Sequence, residues 1–408
     1  MTGKTFIILV ISLLLVSGKG IANNDQPYAG KNILALFSLQ PTTPAYRIIL
    51  EGIHAELTKE FGDNYTLQPE YLGMDQYPNE SFSREQFEPY NEKFRDVKID
   101  LLICIGVNLA GTLKKYAEPY LLNLPAVSLD YDLSDYGFPW EISLNDKTVV
   151  IPLKFEIDKT ITTMLSIFPR TSSINIISGV STHDQFFFSI SRQEAVKVDS
   201  SIKVDFFTNM AMAEILKMVG QMPDNSIIIV PRFSLDSKQV NYYNFEAIRL
   251  ICRAANVPVF TYSSIGFGDG AVGGYIMNFE KVAMIVGEAA VRVLNGENPR
   301  SIKYDGNDYY EYMFDFRELN KWGLLGSKRL PKGSSIYFEE ITFFDKYRWI
   351  FIGGVLFLLF QTLLIVRLIF LNRKQQLLTQ QIRENETKYR ELIREDRILR
   401  IGQLTASL

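Results

Sequence analysis

The chain has 408 residues, of which 47% are hydrophobic and 22% charged, and a formal net charge of −3. That length exceeds one core and predicts two or three folded units, while the near-neutral charge gives no reason to expect nucleic acid. Cys104 and Cys252 are too few for a disulfide framework, and with only His54 and His183 beside them a metal site or a Cys-His catalytic pair is not expected.

Residues 1–22 read as a secretory signal peptide. Lys4 supplies the basic start, Phe6–Val16 the apolar run, and Gly20 and Ala22 the small residues of a cleavage site. Retention as an uncleaved anchor is the alternative. No Cys follows the run, so a lipid-anchored start is not expected.

The body then alternates between strand and helix patterns. KNILALFSLQ (31–40) is an apolar run with a polar end. Tyr46, Ile49, Ile53 and Leu57 recur at helical spacing behind it, with Thr42 or Thr43 as cap and Pro44 at the first position. A strand near Thr66–Tyr71, a helix around Arg84–Asp96 and the strand Asp100–Ile105 follow. Gly106-Val107-Asn108 turns into a helix through Tyr116, and Pro125–Leu129 is a further strand. After a loop at Asp130–Asp146 the pattern restarts. Helices near Asp158–Ile167, Gln185–Val196, Ala211–Val219 and Tyr243–Ala255 alternate with strands Ser173–Gly179, Ile202–Thr208, Ser226–Pro231 and Val257–Tyr262. Such alternation predicts an α/β fold of two doubly wound lobes with parallel sheets, the lobe boundary near 150 and the chain returning near 265–300. Cys104 and Cys252 are expected to be buried hydrophobes.

GFGDGAVGGYIMNFEKVAMIVGEAAVRVLNGENPRSI (266–302) resembles the closing segment of type I periplasmic binding proteins of the ABC-transporter substrate-binding kind. There a Gly-rich turn and strand lead into a helix ending at Asn-Gly-Glu-x-Pro. YMFDFRELNKWGLLGSKRLPKGS (312–334) resembles the tail of such domains when they are fused to membrane sensor kinases. The resemblance covers residues 31–340. It implies two lobes that close on a small organic solute.

Solutes of doubly wound sheets bind beyond the carboxyl ends of the strands, and two lobes make the cleft between them the default pocket. Topology therefore nominates Ser38, Gln40, Thr42 and Thr43 after the first strand, and Gly106 and Asn108 after the third. The second lobe contributes Ser178, Ser181, Arg232, Tyr262 and Ser263 at equivalent strand ends. Hydroxyls and helix N-terminal amides suit a carboxylate or amide, and an aromatic ring suits an apolar group. Many of these residues would otherwise cap helices or close turns.

Two other patterns fail on inspection. Asp130, Asp132, Ser134 and Glu141 mimic a calcium loop, but Asp135 stands where Gly is needed and Pro139 intrudes. Gly266, Gly268 and Gly270 precede a strand instead of a helix, so they are no dinucleotide fingerprint. No metal and no resident cofactor are expected.

Trp349–Leu371 predicts one transmembrane helix. Its apolar part to Val366 is broken only by Gln361 and Thr362, Tyr347 and Trp349 sit at one end, and Arg367, Arg373 and Lys374 mark the other. Residues 372–408 are net +3, which leaves −6 elsewhere and fits a cytoplasmic tail below an exported domain. Over residues 372–396, and on to Leu399, Leu378, Ile382, Tyr389, Leu392 and Leu399 follow heptad spacing with Asn385 as a polar seam position. This predicts a homodimeric coiled coil.

RILRIGQLTASL (397–408) resembles the start of the dimerisation and phospho-acceptor helix of sensor histidine kinases, through Gly402, Leu404, Thr405, Ala406, Ser407 and Leu408. In that family a phosphorylated His follows within about two residues, and ATP and Mg bind a further domain. Neither lies within the 408 residues, so no autophosphorylation is expected of them alone. The two resemblances together imply the sensing and membrane-spanning portion of a two-component kinase in the inner membrane, with a periplasmic sensor and a response regulator as partner. The alternative is a membrane-tethered solute-binding protein that serves an ABC permease and has no kinase output.

Overall fold

The structure, a computed structural model, describes residues 30–74, 84–136, 142–195, 197–339 and 343–406. The expected signal peptide, Pro139, Glu141, Ser407 and Leu408 lie outside these. The chain divides into two units, 1–339 and 340–408.

In the first unit β1 (Lys31–Phe37), β2 (Tyr65–Tyr71), β3 (Leu101–Ile105), β4 (Ala126–Tyr131) and β5 (Thr148–Leu153) form an all-parallel sheet of order β2-β1-β3-β4-β5. Helices α1 (Pro44–Phe61), α2 (Arg84–Phe94), α3 (Leu109–Tyr116) and α4 (Pro119–Leu122) connect the strands. Side chains alternate across a strand, so one run fills two cores. Ile33, Ala35 and Phe37 of β1 enter one core with α1, whereas Leu34 and Leu36 enter the other with α2 and α3. Cys104 is buried there and free. Thr43 precedes α1 without a side-chain cap and Pro44 starts it, so the fixed φ of proline does the work expected of a hydroxyl.

The second lobe repeats the scheme. Its sheet, β7-β6-β8-β9, is parallel and joins β6 (Ser173–Ile177), β7 (Lys203–Phe207), β8 (Ser226–Ile229) and β9 (Val259–Phe260). Its helices are α5 (Ile157–Ile167), α6 (Thr182–Ala195), α7 (Met212–Val219) and α8 (Asn244–Ala254). Ile227 and Ile229 face one core of this lobe, and Ile228 faces the other. Cys252 on α8 is buried and free.

The chain crosses between lobes three times, through Lys154–Glu156, along β10 (Gly273–Met277) and back along β11 (Tyr310–Asp315). β10 and β11 pair antiparallel, and β12 (Ser335–Tyr337) adds a parallel third strand. After β10, helix α9 (Phe279–Leu294) returns to the first lobe and lies against α1. The two helices approach so closely that a side chain at Gly52 would strike Ala283. After β11, α10 (Phe316–Lys321) caps the second lobe.

Two tyrosines stitch the crossings together. The Tyr309 hydroxyl donates to the Pro152 carbonyl at 2.6 Å and accepts from the Lys154 N–H at 2.7 Å. The Tyr310 hydroxyl donates to the Lys154 carbonyl at 2.9 Å. Where β5 hands the chain to α5, the backbone is therefore satisfied by side chains from the far crossing.

The second unit is one helix, α11 (Phe343–Ala406). Among the described residues it is the helix, over Lys346–Leu399, that is long and apolar enough to cross a membrane. Thr362 donates its hydroxyl to the Leu358 carbonyl at 2.8 Å, so this polar side chain is satisfied within the helix. Leu378, Ile382, Asn385, Tyr389, Leu392 and Leu399 are all exposed on it.

Replacing Tyr309 by Phe leaves a buried N–H and a carbonyl unpaired at the first crossing. The expected cost is about 1–3 kcal/mol. Thermal melting of the variant should show a fall of several degrees, and an unchanged melting temperature would mean that the crossings are not joined in this way.

Candidate functional site

The carboxyl ends of both sheets open on a common cleft with two adjoining chambers. The inner one, of about 100 Å³, is lined by Leu39, Ile105, Leu129, Tyr131, Phe155 and Phe187, among others. The outer one, of about 650 Å³, is lined mainly by polar residues such as Gln40, Thr42, Ser181, Ser234 and Glu246. Thr43, Pro44, His183, Arg232 and Asn244 border both chambers.

Of the residues nominated from topology, Thr43, Gly106, Arg232, Tyr262 and Ser263 line the inner chamber. Gln40, Thr42 and Ser181 line the outer one. Ser38, Asn108 and Ser178 line neither, and the hydroxyls of Ser38 and Ser178 are used locally. The Ser38 hydroxyl shares a hydrogen bond with that of Tyr46 at 2.9 Å. Asn108 sits in the left-handed region at φ 51 at the start of α3, where its carbonyl accepts from the Thr112 hydroxyl at 2.9 Å. Ser178 donates to the Arg232 carbonyl at 2.8 Å and so joins the loop after β6 to the loop after β8. Gly106 has φ +115, and a Cβ there would strike the Ser38 and Tyr46 hydroxyls. Glycine is therefore the residue that lets β3 end against the chamber wall.

Asp184 organises the second-lobe rim. It is fully buried and accepts from the Ser234 N–H at 2.9 Å, the Leu235 N–H at 3.2 Å and the Ser181 N–H at 3.3 Å. Arg232 Nε lies 3.3 Å from its Oδ1, so the guanidinium enters the cleft already matched by a carboxylate. The Asn244 side chain accepts from the Phe233 N–H at 2.9 Å and fixes the same loop from α8.

The first-lobe rim is less well satisfied. Asp130 ends β4 at 1% exposure, and its Oδ1 accepts from the Tyr131 N–H at 2.7 Å. Its Oδ2 is buried without a hydrogen-bond partner. Burial pushes its pKa up to about 8, and the amides of Tyr131, Asn108 and Leu109 pull it down only in part. His183, on the opposite lobe, is driven down to about 4, first by burial and then by Arg232. Beside them Tyr131 stacks on Phe155 at 5.0 Å, and Phe187 meets both rings edge-on at 5.8 and 5.6 Å. This three-ring cluster draws on the first lobe, the crossing and α6.

Asp130, Tyr131, Phe155, Phe187, His183 and Asn244 are among the lining residues that strand-end reasoning missed. Asp130 and Tyr131 end β4 and were open to the same rule, but an expected loop from Asp130 onward hid them. The observed strand runs on to Tyr131, so Asp130 is a buried strand-end carboxylate and not a member of a solvated cation loop.

Among solved structures, a ligand-free, open substrate-binding protein with adhesive properties from Clostridium difficile superposes with a TM-score of 0.52 at 17% identity. The match covers 76% of this chain and 100% of that one. An ABC domain from Streptococcus pneumonia in complex with L-Trp gives 0.50 at 12% identity, over 73% of this chain and 98% of that one. The fold resembles that of periplasmic binding proteins. No family model matches the sequence, and no curated protein does.

The two buried titrating groups pull stability in opposite directions with pH. A raised Asp130 contributes fully below the ordinary carboxylate range, and this contribution is lost as pH rises towards about 8. A depressed His183 contributes above the ordinary imidazole range, and its contribution is lost as pH falls towards about 4. The Asp130→Asn variant should therefore gain on the wild type as pH rises from 5 to 8, by on the order of a few kcal/mol. Melting curves across that range check it. A constant difference would mean that Asp130 is not held in its protonated form by burial.

Proposed function

We propose that this chain is the sensory and membrane-spanning part of a two-component sensor histidine kinase that takes a small organic solute between its two lobes. The observation that carries the reading is the continuity of α11. It runs without a break from the apolar stretch through the exposed seam of Leu378, Ile382, Asn385, Tyr389, Leu392 and Leu399. A seam of that kind is hidden from water when two copies pair, and paired helices can change rotation or register when the domains above them move. A protein that only delivers solute to a permease has no use for it.

In this reading the body is periplasmic and the charged end of α11 cytoplasmic, next to a phospho-acceptor helix that begins at residue 397 and acts on a response regulator. ATP and Mg belong to the kinase part. Solute shifts the equilibrium to the extent that it binds the closed and open lobes unequally. The substrate-binding relatives in fold support a solute as input, since one is solved with L-Trp and another is a substrate-binding protein. The match of Gly402, Leu404, Thr405, Ala406, Ser407 and Leu408 to kinase dimerisation helices supports the output.

Cysteine cross-linking in membranes tests the pairing. Leu392→Cys should form a disulfide-linked dimer readily, whereas Thr387→Cys, on the outward side of the helix, should not. Cys104 and Cys252 are buried and do not interfere. Equal cross-linking at both positions would remove the seam and with it the route to an output.

A further inference from the structure

The inner chamber holds an electrostatic imbalance that indicates what it accepts. Among the described residues that line it, Asp130 Oδ2, Arg232 Nε and Tyr262 Oη are buried without a hydrogen bond. Arg232 is matched by Asp184 at 3.3 Å. Asp130 has no cation within ion-pair distance among the described residues, and Arg232 is not among the charges that act on it. The Tyr131 N–H serves Oδ1 and the Asn108 and Leu109 amides stabilise the anion in part, but Oδ2 is buried with no hydrogen bond and no counter-charge among the described residues, a cost that a cation brought to it or a proton relieves. The walls beside it are aliphatic and aromatic: Leu129, Leu153, Tyr131, Phe155 and Phe187.

We infer that the solute carries a primary ammonium on a compact apolar body, with the ammonium seated on Asp130 and the body lying along Tyr131, Phe155 and Phe187. This rests on the cleft being a solute site, and it names the class of solute. The ring faces add a cation–π contribution at the ammonium end. The chamber volume of about 100 Å³ limits the apolar body to about the size of one aromatic ring without movement of the lobes.

Free amines and amino acids both supply an ammonium group, and Arg232 decides between them. If Asp184 keeps Arg232 occupied, a carboxylate on the solute gains nothing. If the carboxylate competes for the guanidinium, the amino acid binds better.

Docking also displaces a proton. Asp130, pushed up to about 8 in the free protein, gives its proton to solvent as the ammonium arrives. The groups facing it are Tyr46 from α1, Cys104 from β3 and Tyr131 beside it. Burial pushes all three upward, so they stay neutral in this range. Burial holds His183, across the cleft, down at about 4. Asp130 alone among these groups changes charge between pH 6 and 8.

The test is calorimetry on the full chain in lipid nanodiscs with four probes: phenethylamine, L-phenylalanine, 3-phenylpropionate and 2-phenylethanol. Binding of either amine-bearing probe without the acid or the alcohol supports the assignment. Phenethylamine alone identifies a free amine, and phenylalanine alone identifies an amino acid that recruits Arg232. Binding of 3-phenylpropionate or 2-phenylethanol without the amines overturns the assignment while leaving the cleft a solute site. Silence from all four overturns it together with the reading of the inner chamber as that site. Affinity for the amine that binds should rise about tenfold from pH 6 to pH 7. A fall instead would mean that protonated Asp130 donates to an acceptor on the solute, which also overturns the assignment. Asp130→Asn should lose at least tenfold in amine affinity, and its melting curve at pH 8 verifies that it is folded. Undiminished affinity would rule Asp130 out.

Discussion

Parallel strands all release their chain at the same edge, and the rest of the two-lobed body follows from that constraint. In each lobe the strand order reverses beside the first strand, at β1 in β2-β1-β3-β4-β5 and at β6 in β7-β6-β8-β9. The connections leave to opposite sides there, and a crevice opens at the carboxyl edge. Three crossings hold the two crevices in one cleft, so Gly106 and Asp130 from β3 and β4 share a chamber with Arg232 and Tyr262 from beyond β8 and β9.

The two rims of that cleft are satisfied differently, and the difference is informative. On the second lobe a single buried carboxylate, Asp184, takes backbone donors from two loops together with the Arg232 guanidinium. That carboxylate is satisfied from several sides. On the first lobe Asp130 is equally buried but keeps an oxygen without a partner, next to the left-handed turn at Asn108. Buried polar groups left unmatched are uncommon in folded proteins, and one that lines a cavity is the natural place to look for a contact with what the cavity takes.

Much of this architecture is legible in the sequence because buried parallel strands are written as apolar runs between helical periods. β1, β3, β6 and β8 fall where KNILALF, LLICI, SINII and SIII predict them. β5 is not predicted. TVVIPL follows a polar loop, contains Pro152, and buries only alternate residues as a sheet-edge strand. The site is read less well for a related reason. A polar residue at a strand end has two uses, and only the fold decides between them: Ser178 and Ser38 serve their own loops, while Arg232 and Tyr262 reach the chamber. Phe155 and Phe187 carry no local signal. They become a site only when a crossing and a helix bring their rings to Tyr131.

On the proposed reading, the apolar helix and heptad seam of the second unit give an outlet to a lobe movement that begins when a solute meets Asp130. Electron spin distance measurements test this most directly, with labels at Arg47→Cys and Lys238→Cys, exposed on the first and second lobes. In the full chain in nanodiscs at pH 8, saturating phenethylamine should shorten the distance, and Asp130→Asn should abolish the change. A wild-type distance that stays constant while the probe is demonstrably bound would contradict the account.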